Sequence, residues 1–333
     1  MKISIVIIGR NEEKHIDKSV RSVLYASSRF RDRQIVYVDS ASTDRTVSIV
    51  ERYPVKIIRL RPSWKLTSAA GRYLGYLHTD GDYVFFVDGD TVIYKKWPFR
   101  AIEFIKSRGD VGGVAGIVHE IFLDQDGKRI GFRKNRYRQS GSICEVNVFG
   151  GTAVYRRRVL DEVGAFNPHI IATPELELAL RIRNAGYRLF RLPEPMAITY
   201  APQRESVGEI LRRARSGLYS MGSTLKYCQK NRLFLNFIKE RMGFILTYFV
   251  CLFFFCALLL VSLFLNSLVI ASSVGIAIFT GVVIFSIRKR SIYGVFLSIF
   301  KRSVIAWKTI HSYFTTKVHD AEEYPEDVEV IKE

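Results

Sequence analysis

The first 120 residues alternate short runs of β-branched and apolar residues with longer amphipathic stretches, and this alternation is the strongest constraint on the fold. The short runs are typical of buried strands, and the longer stretches have the apolar spacing of helices. The expected strands are residues 3–8, 34–38, 55–60, 83–87 and 111–117. The expected helices are residues 12–27, 43–52, 66–78 and 97–106. This β-α-β order predicts an α/β fold with a mostly parallel, Rossmann-like sheet between layers of helices.

The pattern continues less regularly to about residue 202. A strand is expected at residues 149–155, where two glycines precede the apolar run, and another at residues 188–192. Helices are expected at residues 158–163 and 175–185. Three prolines then interrupt the pattern, at positions 193, 195 and 202. Because proline removes a backbone donor and punctuates regular structure, we expect the compact α/β domain to end there, at residues 1–202.

Polar residues follow three of the expected strands, at Arg10-Asn11-Glu12, Asp39-Ser40 and Asp88-Gly89-Asp90. Ligands of open α/β sheets bind at the carboxyl ends of the strands, so these residues are expected to line one pocket. Two carboxylates around a glycine make a compact site for a hard divalent cation, Mg²⁺ or Mn²⁺, which readily shares its coordination with a diphosphate. The alternative is a surface turn, since Asp and Gly both favour turns.

Four segments resemble family 2 glycosyltransferases in their order and spacing: residues 3–13, 38–46, 71–75 and 86–91. The similarity continues through Gly150-Gly151 and residues 175–181 to Gly186-Tyr187-Arg188, and covers about residues 3–192. The resemblance implies a GT-A fold and an inverting displacement at the anomeric carbon of a nucleotide-sugar such as a UDP- or GDP-sugar. It also implies Mg²⁺ or Mn²⁺ held by Asp88 and Asp90.

The resemblance further assigns donor-binding residues. Asp39 corresponds to the aspartate that recognises the nucleobase, and its carboxylate is an acceptor-only group suited to imide or amino hydrogens. Glu12 is expected to line the base and ribose cleft, although an acid in the first turn of a helix is also favoured by the helix dipole. Arg72 and Asp88 are also assigned to donor binding, and a fixed guanidinium such as that of Arg72 can meet phosphate or carboxylate bidentately. Tyr73 departs from the family pattern, which has Asn at this position.

An inverting transfer needs a base that takes the proton of the acceptor hydroxyl. Aligning Arg181 with the arginine of the family pattern puts Glu175 at the position of that base, with Glu177 as the rival. The local alternative is an ordinary helix start, since Thr173, Pro174 and Glu175 are all favoured at the beginning of a helix. The Gln-x-x-Arg-Trp signature of processive synthases is absent, which favours addition of a single sugar.

The net charge of +18 requires an anionic partner, and its distribution favours a membrane over nucleic acid. Cations concentrate beside a long stretch without charge, residues 242–287. Further basic residues follow the donor-binding half of the chain. These candidates for contact with an acceptor or lipid phosphate are Arg133, Arg136, Arg212, Arg213 and Arg215. A solvated cationic face is the alternative for them.

Hydropathy predicts an α-helical membrane domain with two transmembrane helices, at residues 242–265 and 267–287, joined in a tight hairpin. Cationic flanks on both sides predict a multi-pass protein of the cell membrane with a cytoplasmic catalytic domain. Residues 203–241 are expected to form basic amphipathic juxtamembrane helices, and residues 288–319 an amphipathic helix in the interface. The acidic residues 320–333 are expected to form a solvated tail.

The pattern as a whole predicts an enzyme that transfers one sugar from a nucleotide-sugar to a lipid-linked, polyprenyl-type acceptor at the cytoplasmic membrane face. One alternative is a polyprenyl-phosphate glycosyltransferase, which would need little base assistance because its acceptor is already anionic. A second alternative is a non-catalytic membrane scaffold. Retained activity without the Glu175 carboxylate would favour the first alternative, and failure to bind any nucleoside diphosphate would favour the second.

Overall fold

The computed structural model describes residues 1–124, 127–137, 141–202, 206–264 and 292–333. The chain divides into two compact units. The first unit comprises Met1–Arg204 together with Val318–Glu333, and the second comprises Glu205–Lys317. The last residues of the chain therefore belong to the same unit as the first.

Among the described residues, eleven strands form a single sheet in the first unit. The strands, numbered β1 to β11 along the chain, are Lys2–Gly9, Asp32–Asp39, Lys56–Arg59, Tyr83–Asp88, Thr91–Ile93, Val111–Leu123, Arg129–Arg133, Cys144–Glu145, Ala153–Arg156, Arg188–Pro202 and Glu329–Lys332. Their order in the sheet is β11-β3-β2-β1-β4-β9-β6-β10-β5, with β7 paired to β6 and β8 paired to β10.

Helices cover this sheet. The helices of the first unit, α1 to α6, are Ile16–Ser27, Thr46–Val50, Ser68–Leu77, Trp97–Lys106, Arg157–Val163 and Pro174–Asn184. Helix α3 begins at an N-cap, Thr67, whose side chain accepts a hydrogen bond from the Ala70 N–H. The same helix lies close to the sheet because Gly75 has no side chain, and a Cβ there would be 3.0 Å from Cγ2 of Val38. Close packing of α3 on the sheet positions Arg72, which this helix carries.

The predicted mixed α/β architecture is confirmed, whereas the expectation of a mostly parallel sheet is wrong for the sheet as a whole. Strands β3, β2, β1 and β4 are parallel neighbours, and so are β6 and β10. Strand β9, however, lies antiparallel between β4 and β6. The pattern of apolar residues along one strand reports its burial but not the direction of its neighbours, which explains the error.

The prolines near residue 195 do not end the domain, because they lie inside β10. This strand continues from Arg188 to Pro202 and pairs with β6 along its length. The register between β10 and β6 shifts on both sides of Pro195. Such irregularities let a strand accommodate a residue that cannot donate to the ladder.

The prediction of a solvated acidic tail is also wrong. Strand β11 pairs antiparallel with β3 at the edge of the sheet, with Val330 opposite Ile58. Tyr324 is buried in the core of the first unit. A chain end that supplies a strand and a core aromatic is part of the folded unit, and its acidic composition alone did not indicate this.

The second unit is helical in the part of the chain that the structure describes. Its helices are α7 (Val207–Arg215), α8 (Met221–Lys230), α9 (Phe234–Phe237), a π-helical turn (Ile238–Met242), α10 (Gly243–Phe264) and α11 (Ile292–Thr315). Helix α11 packs tightly on α8, since a Cβ at Gly222 would collide with the backbone of Thr309. Four aromatic side chains of α11 are exposed: Tyr293, Phe296, Trp307 and Phe314.

The predicted two-span membrane domain and the multi-pass location require correction. A helix that crosses a bilayer needs roughly 20 consecutive apolar residues. Within the described ranges, no helix has the length and apolar character for this. The predicted second span, residues 267–287, lies outside the described residues. Apolar composition alone was the basis of this prediction.

Candidate active site

Arg72 lies at the centre of the candidate site and joins two acidic side chains from distant parts of the chain. It belongs to α3, and its side chain is only 3% exposed. One terminal nitrogen donates to Asp88 Oδ1 at 2.7 Å, and the other donates to Glu175 Oε1 at 3.0 Å. Asp88 ends β4, and Glu175 lies in the first turn of α6. The guanidinium therefore connects a strand end, a helix face and a helix start.

The surroundings of Arg72 keep it charged and fixed. Its guanidinium carbon lies 5.1 Å from the centre of the Phe166 ring, a cation–π contact. Burial alone would lower the pKa of Arg72, but the charges of Asp88 and Glu175 raise it above its ordinary value. Gly151 permits this arrangement, because a Cβ there would collide with both the Arg72 guanidinium and the Asp88 carboxylate. Gly151, one of the two glycines on which the family resemblance rests, thus leaves room for the Arg72–Asp88 ion pair.

Glu12, Asp88 and Asp90 form an acidic group beside the ion pairs of Arg72. Burial raises the pKa of Glu12 to about 7, and the negative charges of Asp90 and Asp88 add to this effect. Burial and the charge of Asp88 likewise raise the pKa of Asp90 to about 6. A divalent cation between carboxylates would reverse such shifts, because it stabilises their charged forms. The donor set, oxygen atoms of acids, is the kind that Mg²⁺ and Mn²⁺ prefer.

No group of three or more His, Cys, Asp or Glu within the described ranges is arranged to hold a metal ion. Asp88 and Asp90 therefore supply two candidate ligands, and the remaining coordination positions would fall to a substrate or to water. Magnesium is commonly bound in this way, by one or two carboxylates together with substrate phosphates. The residues present fit such a shared site better than a closed protein site.

Asp39 is fully buried at the end of β2, and its carboxylate is satisfied by the protein. Both of its oxygens accept hydrogen bonds from Ser42, one from the backbone N–H at 2.8 Å and one from the hydroxyl at 2.5 Å. Tyr37 donates a longer bond, and the Arg59 guanidinium lies 3.3 Å away. Asp39 thus organises the loop that follows β2, and its recognition of a nucleobase stays a prediction.

The loops after β1 and β2 are locked together at this edge of the sheet. The N–H of Asn11 donates to Ser42 Oγ, and its side-chain oxygen accepts from the Thr43 N–H at 2.8 Å. Asn11 and Ala41 both have φ of 56°. Left-handed backbone costs a residue other than glycine on the order of 1–3 kcal/mol and persists only where surrounding contacts determine it. Such strain is concentrated where the sequence predicted a ligand.

The structure distinguishes the two candidate bases. Glu175 is 23% exposed and bonded to Arg72 in the site. Glu177 has no exposed side-chain surface and is held by Arg181, which donates to Glu177 Oε2 at 2.8 Å. Arg181 also donates to the carbonyls of three successive residues, from the end of α5 into the loop before α6. Glu177 therefore maintains the structure of the loop, and of the two acids only Glu175 has exposed side-chain surface.

The predicted phosphate-binding arginines are divided between the two units. Arg133 and Arg136 are half-exposed, and both face the buried carboxylate of Glu120, at 2.8 and 3.5 Å. Arg136 is also near enough to Asp90 to lower the pKa of that carboxyl against the larger effect of burial. Arg136 therefore lies near the acidic group.

The other three arginines lie on α7 in the second unit. Arg212 and Arg213 both bind the Glu209 carboxylate at 2.7 Å. Arg215 is exposed at the end of the same helix.

Three contributors to the site were not predicted. Arg59 compensates the buried charge of Asp39, Glu120 orders Arg133 and Arg136, and Phe166 packs on the Arg72 guanidinium. Glu120 ends the most buried part of β6, and an acid at the end of an apolar run was a signal available in the sequence. Arg59 and Phe166 had no such signal, because their partners are distant along the chain.

Removing the guanidinium of Arg72 should destabilise the fold, because Asp88 and Glu175 would lose their common partner. We expect the Arg72→Met variant to lose about 3 kcal/mol of unfolding free energy in urea denaturation, the low end for a broken buried ion pair. The control is Arg100→Met, whose partner Glu194 is at a similar distance, 2.9 Å, but whose side chain is 45% exposed. That variant should lose less than about 1 kcal/mol. Equal losses for the two variants would contradict the central position of Arg72.

A family model described as Glycosyl transferase family 2 matches residues 4–164. This range includes Glu12, Asp39, Arg72, Asp88 and Asp90. The match covers just under half of the chain and shows similarity to this family over those residues.

Several proteins of similar sequence are named as glycosyltransferases. Poly(ribitol-phosphate) beta-N-acetylglucosaminyltransferase TarS of Staphylococcus aureus is 33% identical over 109 residues, 32% of this chain and 19% of that protein. Glycosyltransferase AglE of Haloferax volcanii is 27% identical over 197 residues, 56% of this chain and 63% of that protein. The O-antigen chain rhamnosyltransferase WbaN of Salmonella anatum is 25% identical over 186 residues, 52% of this chain and 59% of that protein. The chain thus spans less than two thirds of the length of these relatives.

Among solved structures, that of residues 1–349 of TarS from S. aureus in complex with UDP-GlcNAc matches at a TM-score of 0.47 and 21% identity. The match covers 73% of this chain and 74% of that one. The family model and the relatives agree on one class of enzyme. Residues 4–164 are thus similar to glycosyltransferase family 2, and the relatives named here are glycosyltransferases.

Proposed function

We propose that the protein transfers one sugar from a nucleoside-diphosphate sugar to a hydroxyl group of a lipid-linked, polyprenyl-type acceptor, with inversion at the anomeric carbon. The observation that carries this proposal is the pair of bonds from Arg72 to Asp88 and Glu175. Asp88 belongs to the half of the site suited to the donor, and Glu175 to the half suited to an acceptor. One buried residue sets the distance between the two halves.

The donor half consists of Asp88, Asp90 and Glu12, with Asp39 ordering the neighbouring loop. Asp88 and Asp90 would hold Mg²⁺ or Mn²⁺, which when bound neutralises the negative charge of the departing diphosphate. The raised pKa values of Asp90 and Glu12 indicate an acidic pocket that accommodates a cation better than a bare anion. The strand-end position agrees with the usual place of ligands in such sheets.

Glu175 is the proposed base. Its carboxylate takes the proton of the acceptor hydroxyl while the acceptor oxygen bonds to the anomeric carbon and the bond to the diphosphate oxygen breaks on the opposite face. The bond from Arg72 to one oxygen, Oε1, orients the carboxylate, and partial exposure leaves the group accessible to a hydroxyl.

An anionic acceptor at a membrane surface is supported by the cations and aromatics of the chain. The name of TarS specifies poly(ribitol-phosphate), an anionic polymer, as its acceptor. The half-exposed Arg133 and Arg136 are suited to phosphate groups of such an acceptor. In the second unit, the exposed aromatics of α11 recur at spacings that put them along one side of the helix. Aromatic and cationic side chains on one helix favour binding at an anionic lipid interface.

Replacing each candidate base by its amide tests the proposed chemistry. The Glu175→Gln variant cannot take a proton, and we expect the kcat of its folded fraction to fall by about 10²–10⁴. Its amide oxygen can still accept the bond from Arg72, and Asp88 still compensates the Arg72 charge, so its loss of stability should be smaller than that of Glu177→Gln. The matched variant, Glu177→Gln, should lose about 3 kcal/mol of stability because Arg181 loses its charged partner. Its folded fraction should retain most of its kcat. The assay is release of nucleoside diphosphate in the presence of a polyprenyl-diphosphate-linked sugar in detergent.

Two outcomes of that assay would count against the proposal. Loss of kcat in Glu177→Gln with full activity in Glu175→Gln would exclude Glu175 as the base. Full activity of Glu175→Gln on polyprenyl phosphate alone would instead favour a polyprenyl-phosphate glycosyltransferase, whose acceptor carries its own negative charge.

Membrane-surface binding can be tested with vesicles. We expect the protein to float with vesicles rich in phosphatidylglycerol. The double variant Trp307→Ala, Phe314→Ala should weaken this binding about tenfold or more, because it removes two aromatic side chains that would insert into the lipid interface. These side chains are 66% and 76% exposed. The control is Tyr25→Ala, which removes an exposed aromatic of the first unit. Equal flotation of all variants would exclude α11 as the contact.

A further inference from the structure

The last residues of the chain, 318–333, pack against the loops that lead to Arg72 and Glu175. We call this segment the clasp. It belongs to the first unit, although the whole second unit lies between it and the rest of that unit in the sequence. Its final residues form β11 on the edge of the sheet beside β3. The proposed chemistry makes no use of this segment, so its contacts need a separate explanation.

Tyr324 of the clasp holds the loop of residues 61–67, which runs from β3 to α3 and so to Arg72. The Tyr324 side chain is buried, and its hydroxyl donates to the carbonyl of Lys65 at 2.8 Å. Its ring meets the Trp64 ring edge-on, with 5.8 Å between the ring centres. A buried aromatic with its hydroxyl satisfied fixes a loop more strongly than an exposed ion pair does.

His319 of the clasp holds a second loop, residues 164–173, which runs from α5 to α6 and so to Glu175. The Asn167 side chain donates to the His319 carbonyl at 3.0 Å. The rings of His319 and His169 lie 5.0 Å apart. This loop therefore contacts the clasp through two of its side chains, the amide of Asn167 and the imidazole of His169.

The two loops are also bound to each other. Lys65 donates to the His169 carbonyl at 2.6 Å, and the Thr67 hydroxyl donates to the Pro168 carbonyl at 2.8 Å. The second loop ends at Thr173, which has φ of 58° immediately before α6. Left-handed backbone at a β-branched residue persists only where its surroundings determine it. The clasp and the first loop supply such surroundings.

A departure from the family pattern lies at the same place. Tyr73, where the family has Asn, follows Arg72 directly and donates from its hydroxyl to Glu326 of the clasp at 3.1 Å. Tyr73 thus contacts the clasp. A contact next to Arg72 gives the clasp a direct connection to the helix that carries the guanidinium.

We infer that the clasp positions Arg72 and Glu175 for catalysis by fixing the two loops that precede them, with Tyr324 and Glu326 as positioning residues. The inference rests on the proposed function for the roles of Arg72 and Glu175. The contacts of Tyr324 and Glu326 are with the loops and with Tyr73, so these residues act through others.

The first test measures loop order without any need for activity. In hydrogen–deuterium exchange on the full chain, Tyr324→Ala should exchange faster than wild type in residues 61–67 and 164–176. The amides of β1 and β4 should be unchanged, which shows that the fold is intact. The matched control in the same segment is Val330→Ala, whose side chain is exposed and should leave the loops as in wild type. Unchanged exchange in both loops of Tyr324→Ala would overturn the inference.

The second test separates positioning from a merely structural role. Tyr324→Ala should lower kcat about tenfold or more, because small displacements of reacting groups are costly, while KM for the nucleotide-sugar changes little. Tyr324→Phe keeps the ring and should recover most of the kcat. Loosened loops with unchanged kcat would overturn the inference, and so would a loss of kcat that only follows the loss of folded protein.

A milder pair of variants covers the case in which Tyr324→Ala does not fold. Glu326→Gln removes the charge that Tyr73 contacts, and Glu329→Gln removes an exposed charge three residues away. Only the first should lower kcat and speed exchange near Arg72, and identical behaviour of the two would overturn the inference. Absence of sugar transfer by the wild type from any donor would refute the proposed function, whereas the exchange experiment would still decide whether the clasp orders the loops.

Discussion

The position of one buried guanidinium sets the geometry of the candidate site. Arg72 comes from α3, and its two partners come from the end of β4 and the start of α6. A buried arginine is unfavourable unless its donors are paired, so both acids contribute to the stability of the fold. For the same reason, neither acid can move far without leaving a donor of the buried Arg72 guanidinium unpaired. The distance between the donor half and the base is therefore a property of the folded core.

Close approaches made possible by glycine bring the three groups together. Gly75 lets α3 lie against the sheet, and Gly151 leaves room for the Arg72–Asp88 pair. On the opposite side, the loops before α3 and α6 are tied to each other and to residues 318–333. The site is thus supported from the sheet below it and from the chain end beside it. The acidic group of Glu12, Asp88 and Asp90 faces the remaining side, where burial and mutual repulsion raise the pKa values of Glu12 and Asp90.

Periodicity and strand-end chemistry predicted much of this arrangement from the sequence. The first four parallel strands, the place of Asp88 at a strand end and the position of Glu175 at a helix start all follow from local patterns. Contacts between distant segments were not predictable in this way. The antiparallel insertion of β9, the continuation of β10 through Pro195 and the return of β11 to β3 depend on partners remote in sequence. Hydropathy alone led to the two-span membrane domain, for which the described helices provide no candidate.

The most direct test of the account is binding of nucleoside diphosphates with and without Mn²⁺, measured as a shift in melting temperature. UDP, GDP and dTDP would be compared on the wild type and on Asp90→Asn, which keeps the shape of the side chain and removes its charge. The account predicts that one nucleoside diphosphate stabilises the wild type only when Mn²⁺ is present, and that the variant loses this shift. No shift with any nucleoside diphosphate, or an equal shift in Asp90→Asn, would contradict the assignment of the Asp88–Asp90 site to the donor.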